Sequence, residues 1–473
     1  MLRIIGGIVM IDLQEKTLQS FLYKTKEKAV QARKALFISW SEKIAPVVMI
    51  DVFNAAKNKG KQRQFWTNGN KDFSIVGIGT TKTIIASDDQ IHTLQQQWDT
   101  FVQDAIIYDP YETVGTGAIA LGGMDFDSKK QRTTLWEKYE TSALMVPEMT
   151  VVHHENNYYV TFQIEMNETT NVAEVLLRIE EMKQYLQPAP LKKVSGQKIV
   201  AEKEIAPNEW KQSVQDAVDA IKRGEAKKIV LAREMRVQLN QRANIAWMLH
   251  RLMETQPNSY VFAFEKEDDN CFIGATPERL VQVEGDELLS TCLAGTAPRG
   301  KTEAEDKQIA QDLLEDPKNR EEHHYVVQMI RDSIEDDCET VHIPNEPTVW
   351  TLRNLHHLFT PVTATLKANR SIFNTVEKLH PTPALGGLPK EAALTYIREH
   401  ERLDRGWYGA PVGWVDSNHN GEFAVAIRSG LVQGEEISLF AGCGVMRDSD
   451  PQMEYEETGV KFLPMYNVLE DCE

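Results

Sequence analysis

The period of the apolar positions changes several times along the chain, and each change marks an element. Residues 18–43 and 172–185 carry helical spacing. Residues 208–223 place Trp210, Val214, Val218 and Ile221 on one helical face and stop at Gly224, a residue suited to a helix end. Between these helices the period falls to two. Phe65 and Trp66, a turn at Asn68-Gly69-Asn70, then Phe73, Ile75 and Val76 predict a hairpin. Residues 116–127 predict a strand ending in a turn at Gly122-Gly123, and residues 151–164 another strand. Further on, Ile229-Val230-Leu231 reads as a buried strand with Lys228 at its mouth. Residues 260–264 and 271–275 pair across an acidic turn, and RLVQVEGDELLS makes a second hairpin. In EFAVAIRSG, alternation puts Phe423, Val425 and Ile427 on one face and Ala424, Ala426 and Arg428 on the other. Residues 302–337 hold two helices. Thr302 with Glu305 forms a capping box for the first, and Asp316-Pro317 supplies an N-cap and first-turn proline for the second.

That second helix carries the first sign of chemistry. Glu322, Val326, Ile330 and Ile334 recur every four residues, so the row is expected to face inward and to take Glu322 with it. A buried carboxylate needs a cation. On its own, Glu322 reads as a salt bridge to Arg320 or to a lysine elsewhere. Near the end of the chain, Glu454, Glu457 and Lys461 stand three and four residues apart; if that stretch is helical they project together, until Pro464 interrupts it. Two carboxylates on one face repel unless a cation lies between them. Glu322, Glu454 and Glu457 together form an oxygen-only set suited to Mg²⁺ rather than zinc or calcium, and this turns the balance toward a metal. Other candidates each keep an ordinary reading beside the chemical one. Lys228 is a snorkelling lysine or a desolvated amine able to act as a base. Glu278, just past Pro277 at a strand end, pairs with Arg279 or faces a cleft. Gly295-Thr296, Gly442 and Gly444 offer backbone N–H groups to a carboxylate or serve tight packing. His356 and His357 read as satisfied core histidines. Ala424 and Ala426 beside Arg428 leave room for something flat and anionic.

Length and charge narrow the classes. A chain of 473 residues exceeds one small core and forms two domains or one large fold of interleaved layers. Residues 187–197, with two prolines and a glycine, are the linker candidate, separating a scaffold half, 1–190, from a catalytic region, 200–473. A formal charge of -18 argues against nucleic acid and anionic membranes, so an anionic substrate needs a local cationic pocket. Five scattered cysteines without a CxxC pair suggest a reducing compartment and no structural zinc. The opening MLRIIGGIVM lacks a cleavage site and reads as a strand or ragged start, and no apolar run reaches membrane-spanning length. A cytoplasmic protein is expected.

KKIVLAR, GATPERL, LAGTAPRG, DPKNREEH, LHPTPALGG, RGWYGAPVGW, GEFAVAIRS, FAGCGV and EETGVK occur in that order between Lys228 and Lys461. In this series the chain resembles the chorismate-utilising enzymes, which include isochorismate synthases, salicylate synthases and the synthase components for anthranilate and aminodeoxychorismate. The resemblance implies an α/β (α+β) fold in which two β-rich subdomains flanked by helices close over one site. It implies Mg²⁺ held by Glu322 and Glu457 with Glu454 close by. Tyr408, Arg428, Gly442, Gly444 and Lys461 match positions that hold substrate carboxylates. Gly295 and Thr296 match a loop over the ring, and His357 the histidine near the reacting edge. Lys228 matches the general base of the water-using members, and Glu278 the acid on the opposite ring face. The implied reaction adds water at C2 of chorismate with loss of the C4 hydroxyl, giving isochorismate, as in the menaquinone pathway. Ala384 stands where lyase-active relatives have threonine, which argues against pyruvate release. The alternatives are a salicylate synthase, a siderophore-pathway isochorismate synthase, and a non-catalytic Mg²⁺ or carboxylate-binding protein. No glutaminase subunit is expected, since no cysteine nucleophile motif is readable, and the expected state is a monomer or weak homodimer.

Overall fold

Helices form where caps and periodicity agree. In the computed structural model, which describes residues 17–57, 60–86, 90–187, 190–191, 196–267, 269–352 and 355–470 and the backbone of two short paired strands, Arg3–Ile5 and Ile8–Met10, the helix Pro207–Lys222 buries Trp210, Val214, Val218 and Ile221. Thr302 caps Glu303–Glu315 and Asp316 caps Pro317–Ile334, each through its side-chain oxygen. Pro451–Tyr466 is one helix with Pro464 inside it, so that proline does not end the element. Residues 18–43 are a helix followed by a strand. The helix Leu18–Ala32 stops at Arg33 in the left-handed region, and the apolar run from Leu36 becomes the strand Leu36–Ile44. The residues proposed as a linker lie largely outside the described ones, at 188–189 and 192–195.

Among the described residues the strands make two large sheets, of thirteen and ten strands. Both sheets draw on both halves of the sequence. In the larger, Arg63–Thr67 pairs with Tyr260–Glu265; in the smaller, Ile119–Met124 pairs with Pro411–Asp416. Residues 151–164 belong to a hairpin, Met149–His154 with Asn157–Met166. Gly122 and Gly123 lie inside the strand Ile119–Met124 and form no turn. A Cβ on Gly122 would stand 1.8 Å from the Ala143 carbonyl oxygen, and one on Gly123 2.7 Å from Trp407, so close strand and ring approach explains both glycines.

The sheets face each other across an aromatic layer that includes Trp66, Phe262, Phe264 and Phe272 from the larger and Leu121, Val412 and Trp414 from the smaller. Helices cover the outer faces, giving two further cores. At two adjacent places the chain passes directly from one sheet to the other. Asn270–Thr276 in the larger sheet continues through Pro277-Glu278 into Arg279–Glu284 in the smaller. Gly421–Val425 in the smaller continues through residues 426–428 into Ser429–Gln433 in the larger. The two passages run side by side. The Val425 N–H donates to the Glu278 carbonyl at 3.0 Å, the Ala275 N–H to the Arg428 carbonyl at 3.0 Å, and the Thr276 hydroxyl to the Val425 carbonyl at 2.7 Å. They set Glu278 and Arg428 together at the junction of the sheets.

Candidate active site

Arg428 arrives at the site by a route that strand alternation does not describe. The strand ends at Val425, and Arg428 sits in the passage between sheets with φ 50°, in the left-handed region. Its guanidinium is drawn below the usual arginine range by burial, opposed by Tyr408, Glu457 and Glu278, which lie in its field. Glu278 is not paired with Arg279. Arg279 points the other way, where its Nε donates to Glu422 at 3.0 Å beside Tyr260. Glu278 is left with one weak donor, the Thr382 hydroxyl at 3.4 Å, and burial pushes its carboxyl up to about 7 despite the opposing fields of Arg428 and Lys228.

Lys228 opens the strand Lys228–Leu239, whose Ile229, Val230 and Leu231 are fully buried. Gly444 lies across from Val230 in the neighbouring strand, and a Cβ there would stand 2.6 Å from Lys228 Cε. The glycine therefore makes the channel along which the lysine extends. Lys228 Nζ donates to Glu322 at 3.0 Å. Glu322 itself is not buried: its side chain is 47% exposed, against 14% for Lys228. The inward row of its helix is His323, Val327, Ile330 and Ile334, which keeps the last two residues of the expected row and replaces Glu322 and Val326 by their next neighbours, so Glu322 stands on the edge of the helix next to Lys228. Its cation is a lysine elsewhere in the chain, not Arg320, which pairs with Glu346.

The helix Pro451–Tyr466 brings a second carboxylate and lysine together. Lys461 Nζ is 2.6 Å from Glu457 and donates to the Gly442 carbonyl at 2.8 Å. Glu454 faces the buried Cys443 thiol, whose pKa is raised first by burial and then by that carboxylate. Tyr408 lies buried under the same strand, its hydroxyl 3.4 Å from where a Gly442 Cβ would be. On the opposite ribbon, Thr296 pairs with His357 in register, and Thr296 Oγ1 is 2.9 Å from His357 Nδ1. Burial, with Arg428 adding to it, lowers His357 to about 4, so the ring is neutral near pH 7. His356 is the core histidine of the pair, held by Asp306 and Thr351. Sequence reasoning passed over Thr382, although it lies in the LHPTPALGG motif, and Glu422, whose link to Arg279 spans 143 positions and leaves no local signal.

No three acidic, histidine or cysteine side chains converge as a cation cage among the described residues, so Glu322, Glu454 and Glu457 do not close into one cluster. The arrangement places a protonated carboxyl, an amine, a guanidinium and a neutral imidazole around a junction of sheets. Such a site suits a small anionic molecule that receives a proton.

The sequence profile described as "Chorismate binding enzyme" matches residues 23–470. The chain belongs to the chorismate-binding enzymes. Among its relatives, the isochorismate synthase MenF of Bacillus subtilis is 35% identical, over 97% of this chain and 99% of the relative. A salicylate biosynthesis isochorismate synthase of Pseudomonas aeruginosa is 33% identical over 94% of this chain and 93% of its own. The structure of the menaquinone-specific isochorismate synthase MenF from Escherichia coli superposes with a TM-score of 0.77 at 22% identity, covering 95% of this chain and all of that one. This likeness bears on the fold, which is the α/β arrangement of the chorismate-binding enzymes. No helix of the described chorismate-binding chain is long and apolar enough to cross a membrane.

Proposed function

We propose that this chain is an isochorismate synthase of the menaquinone type, acting in the cytoplasm on chorismate as a small-molecule substrate without a glutaminase subunit. The observation that carries the reading is Glu278: a carboxyl at the junction of the sheets, released by Arg279 to face Arg428 and Lys228, and pushed up to about 7 by burial. A group in that state donates a proton near neutrality. Lys228 takes a proton from the water that attacks C2, the ring double bonds shift, and Glu278 protonates the departing C4 hydroxyl. One water enters and one leaves, so the product is an isomer of the substrate. Arg428, Lys461 and Tyr408 anchor the substrate carboxylates with the cleft face of the Gly442–Gly444 strand, while Gly295, Thr296 and His357 cover the reacting edge.

A cofactor cation fits the donor set on one ground. Glu322 and Glu457 are partly exposed carboxylates, so an ion held there takes one or two carboxylates and keeps its water, which describes Mg²⁺. Glu322 and Glu457 would hold it, with Glu454 nearby. Bound there, it supplies charge to neutralise the ring carboxylate and stabilise the shifting π system. Incubating the protein with chorismate and Mg²⁺, and separating the products, tests the reading. Isochorismate is expected, formed reversibly and lost on chelation. Stoichiometric pyruvate with salicylate would make it a salicylate synthase, and no turnover would leave a binding protein.

A further inference from the structure

Asn319, in the first turn of the helix that carries Glu322, touches neither Lys228 nor Glu278, yet its amide is committed at both ends. Asp316 Oδ1 accepts from the Asn319 backbone N–H at 2.7 Å and from its side-chain Nδ2 at 2.8 Å. A carboxylate accepts only, so the amide NH₂ must face Asp316 and the amide oxygen must face the other way. There it accepts the Thr296 N–H at 3.2 Å. The register of this strand shifts between Ala294 and Thr296, with Gly295 between them at φ +78°. A Cβ on Gly295 would lie 3.2 Å from Asn319 Cβ and 3.3 Å from its carbonyl oxygen, so the helix turn sits directly on the bulge. Thr296 in turn presents its hydroxyl to His357 Nδ1 at 2.9 Å, where it can donate or accept, and the Gly295 backbone carbonyl, which can only accept, bonds the same ring.

We infer that Asn319 is a positioning residue: keyed by Asp316, it fixes the bulge at Gly295-Thr296 and so sets which ring nitrogen of His357 carries the proton toward the substrate. Only a side chain that donates on one side and accepts on the other satisfies both neighbours. Aspartate has the same shape and fails at Asp316, where two carboxylates would meet at hydrogen-bond distance. The role rests on the isochorismate synthase reading for its effect on rate, but not for its effect on the histidine.

The full chain, labelled with [¹⁵N]histidine, gives the tautomer of His357 from long-range nitrogen spectra, assigned by the signal lost in His357→Asn. The unmodified protein is expected to hold one tautomer. Asn319→Asp should give a mixture, with kcat down roughly tenfold to a hundredfold and KM for chorismate little changed. Asp316→Ser with Asn319→Asp puts a hydroxyl there that accepts the backbone N–H, donates its own proton to the new carboxylate and keeps a competent N-cap; it should return both the single tautomer and most of kcat. An unchanged tautomer in Asn319→Asp overturns the inference, as does a double variant no better than the single one at equal thermal stability. If the unmodified protein does not turn chorismate over, the functional reading fails while the tautomer comparison still decides the role of Asn319.

Discussion

At the scale of single residues, the site is defined by which charges have partners. Glu278 has no ion-pair partner in contact among the described residues because Arg279 is taken by Glu422, and this sets a pH dependence. A carboxyl raised from 4.5 to about 7 costs stability as pH rises through that window, since the folded state holds a proton the unfolded chain would release. Glu278→Gln removes the cost. The variant should match the parent in stability below pH 4.5 and exceed it above pH 7, by on the order of 3 kcal/mol, in urea titrations across that range. Its turnover should fall roughly 10²–10⁴-fold, and the parent's kcat/KM should decline above pH 7. Lys228→Ala should lose turnover to a similar degree with little change in melting temperature, since Ile229 and its neighbours hold the strand. Parental rates in either variant would exclude that residue from proton transfer. Sequence alone singled out both residues but left their pairing open. Glu278 could not be assigned because the residue that claims Arg279 is remote in the chain.

At the scale of elements, the instructive miss is the row on Pro317–Ile334. A strict four-residue repeat drifts about 120° over twelve residues of a helix with 3.6 residues per turn, so Glu322 and Ile334 never shared a face. The period-respecting row begins at His323, which bonds the Ala294 carbonyl and Thr360 and pins the helix to the ribbon below. Arg428 was misplaced for a related reason: alternation holds only while a strand continues, and this strand ends at Val425. Strand ends, caps and hairpins were otherwise readable because each has a local signal. The glycine of FAGCGV nearest Lys228 illustrates an element acting on a residue. Gly444→Ala adds a methyl where the lysine stem runs, and the flexible end of the stem can yield. Activity should fall at least tenfold while the melting temperature moves by no more than a few degrees. A crystal structure of the variant should show Lys228 Nζ displaced from Glu322, and an undisturbed lysine would contradict this account.

At the scale of the whole molecule, neither half of the sequence builds either of the two large sheets by itself. The α/β class was legible from alternation and caps, but the interleaving was not, because no local pattern tells Arg63–Thr67 that its partner is Tyr260–Glu265. Residues 200–473 expressed alone should therefore be insoluble or expanded, with the edges of Tyr260–Glu265 and Pro411–Asp416 unpaired, and co-expression of residues 1–190 should raise the yield of folded protein. A soluble, cooperatively melting fragment would show that the seam is dispensable. The same seam has a consequence for synthesis. Ile119–Met124 leaves the ribosome long before Pro411–Asp416 exists to pair with it. At 5–20 residues per second the wait is roughly 15–60 s, during which Ser142–Val146 can cover one edge of that strand while the other edge has no partner. Completion of the smaller sheet thus waits for the last third of the protein, and the open edge of that early strand has to be shielded until then.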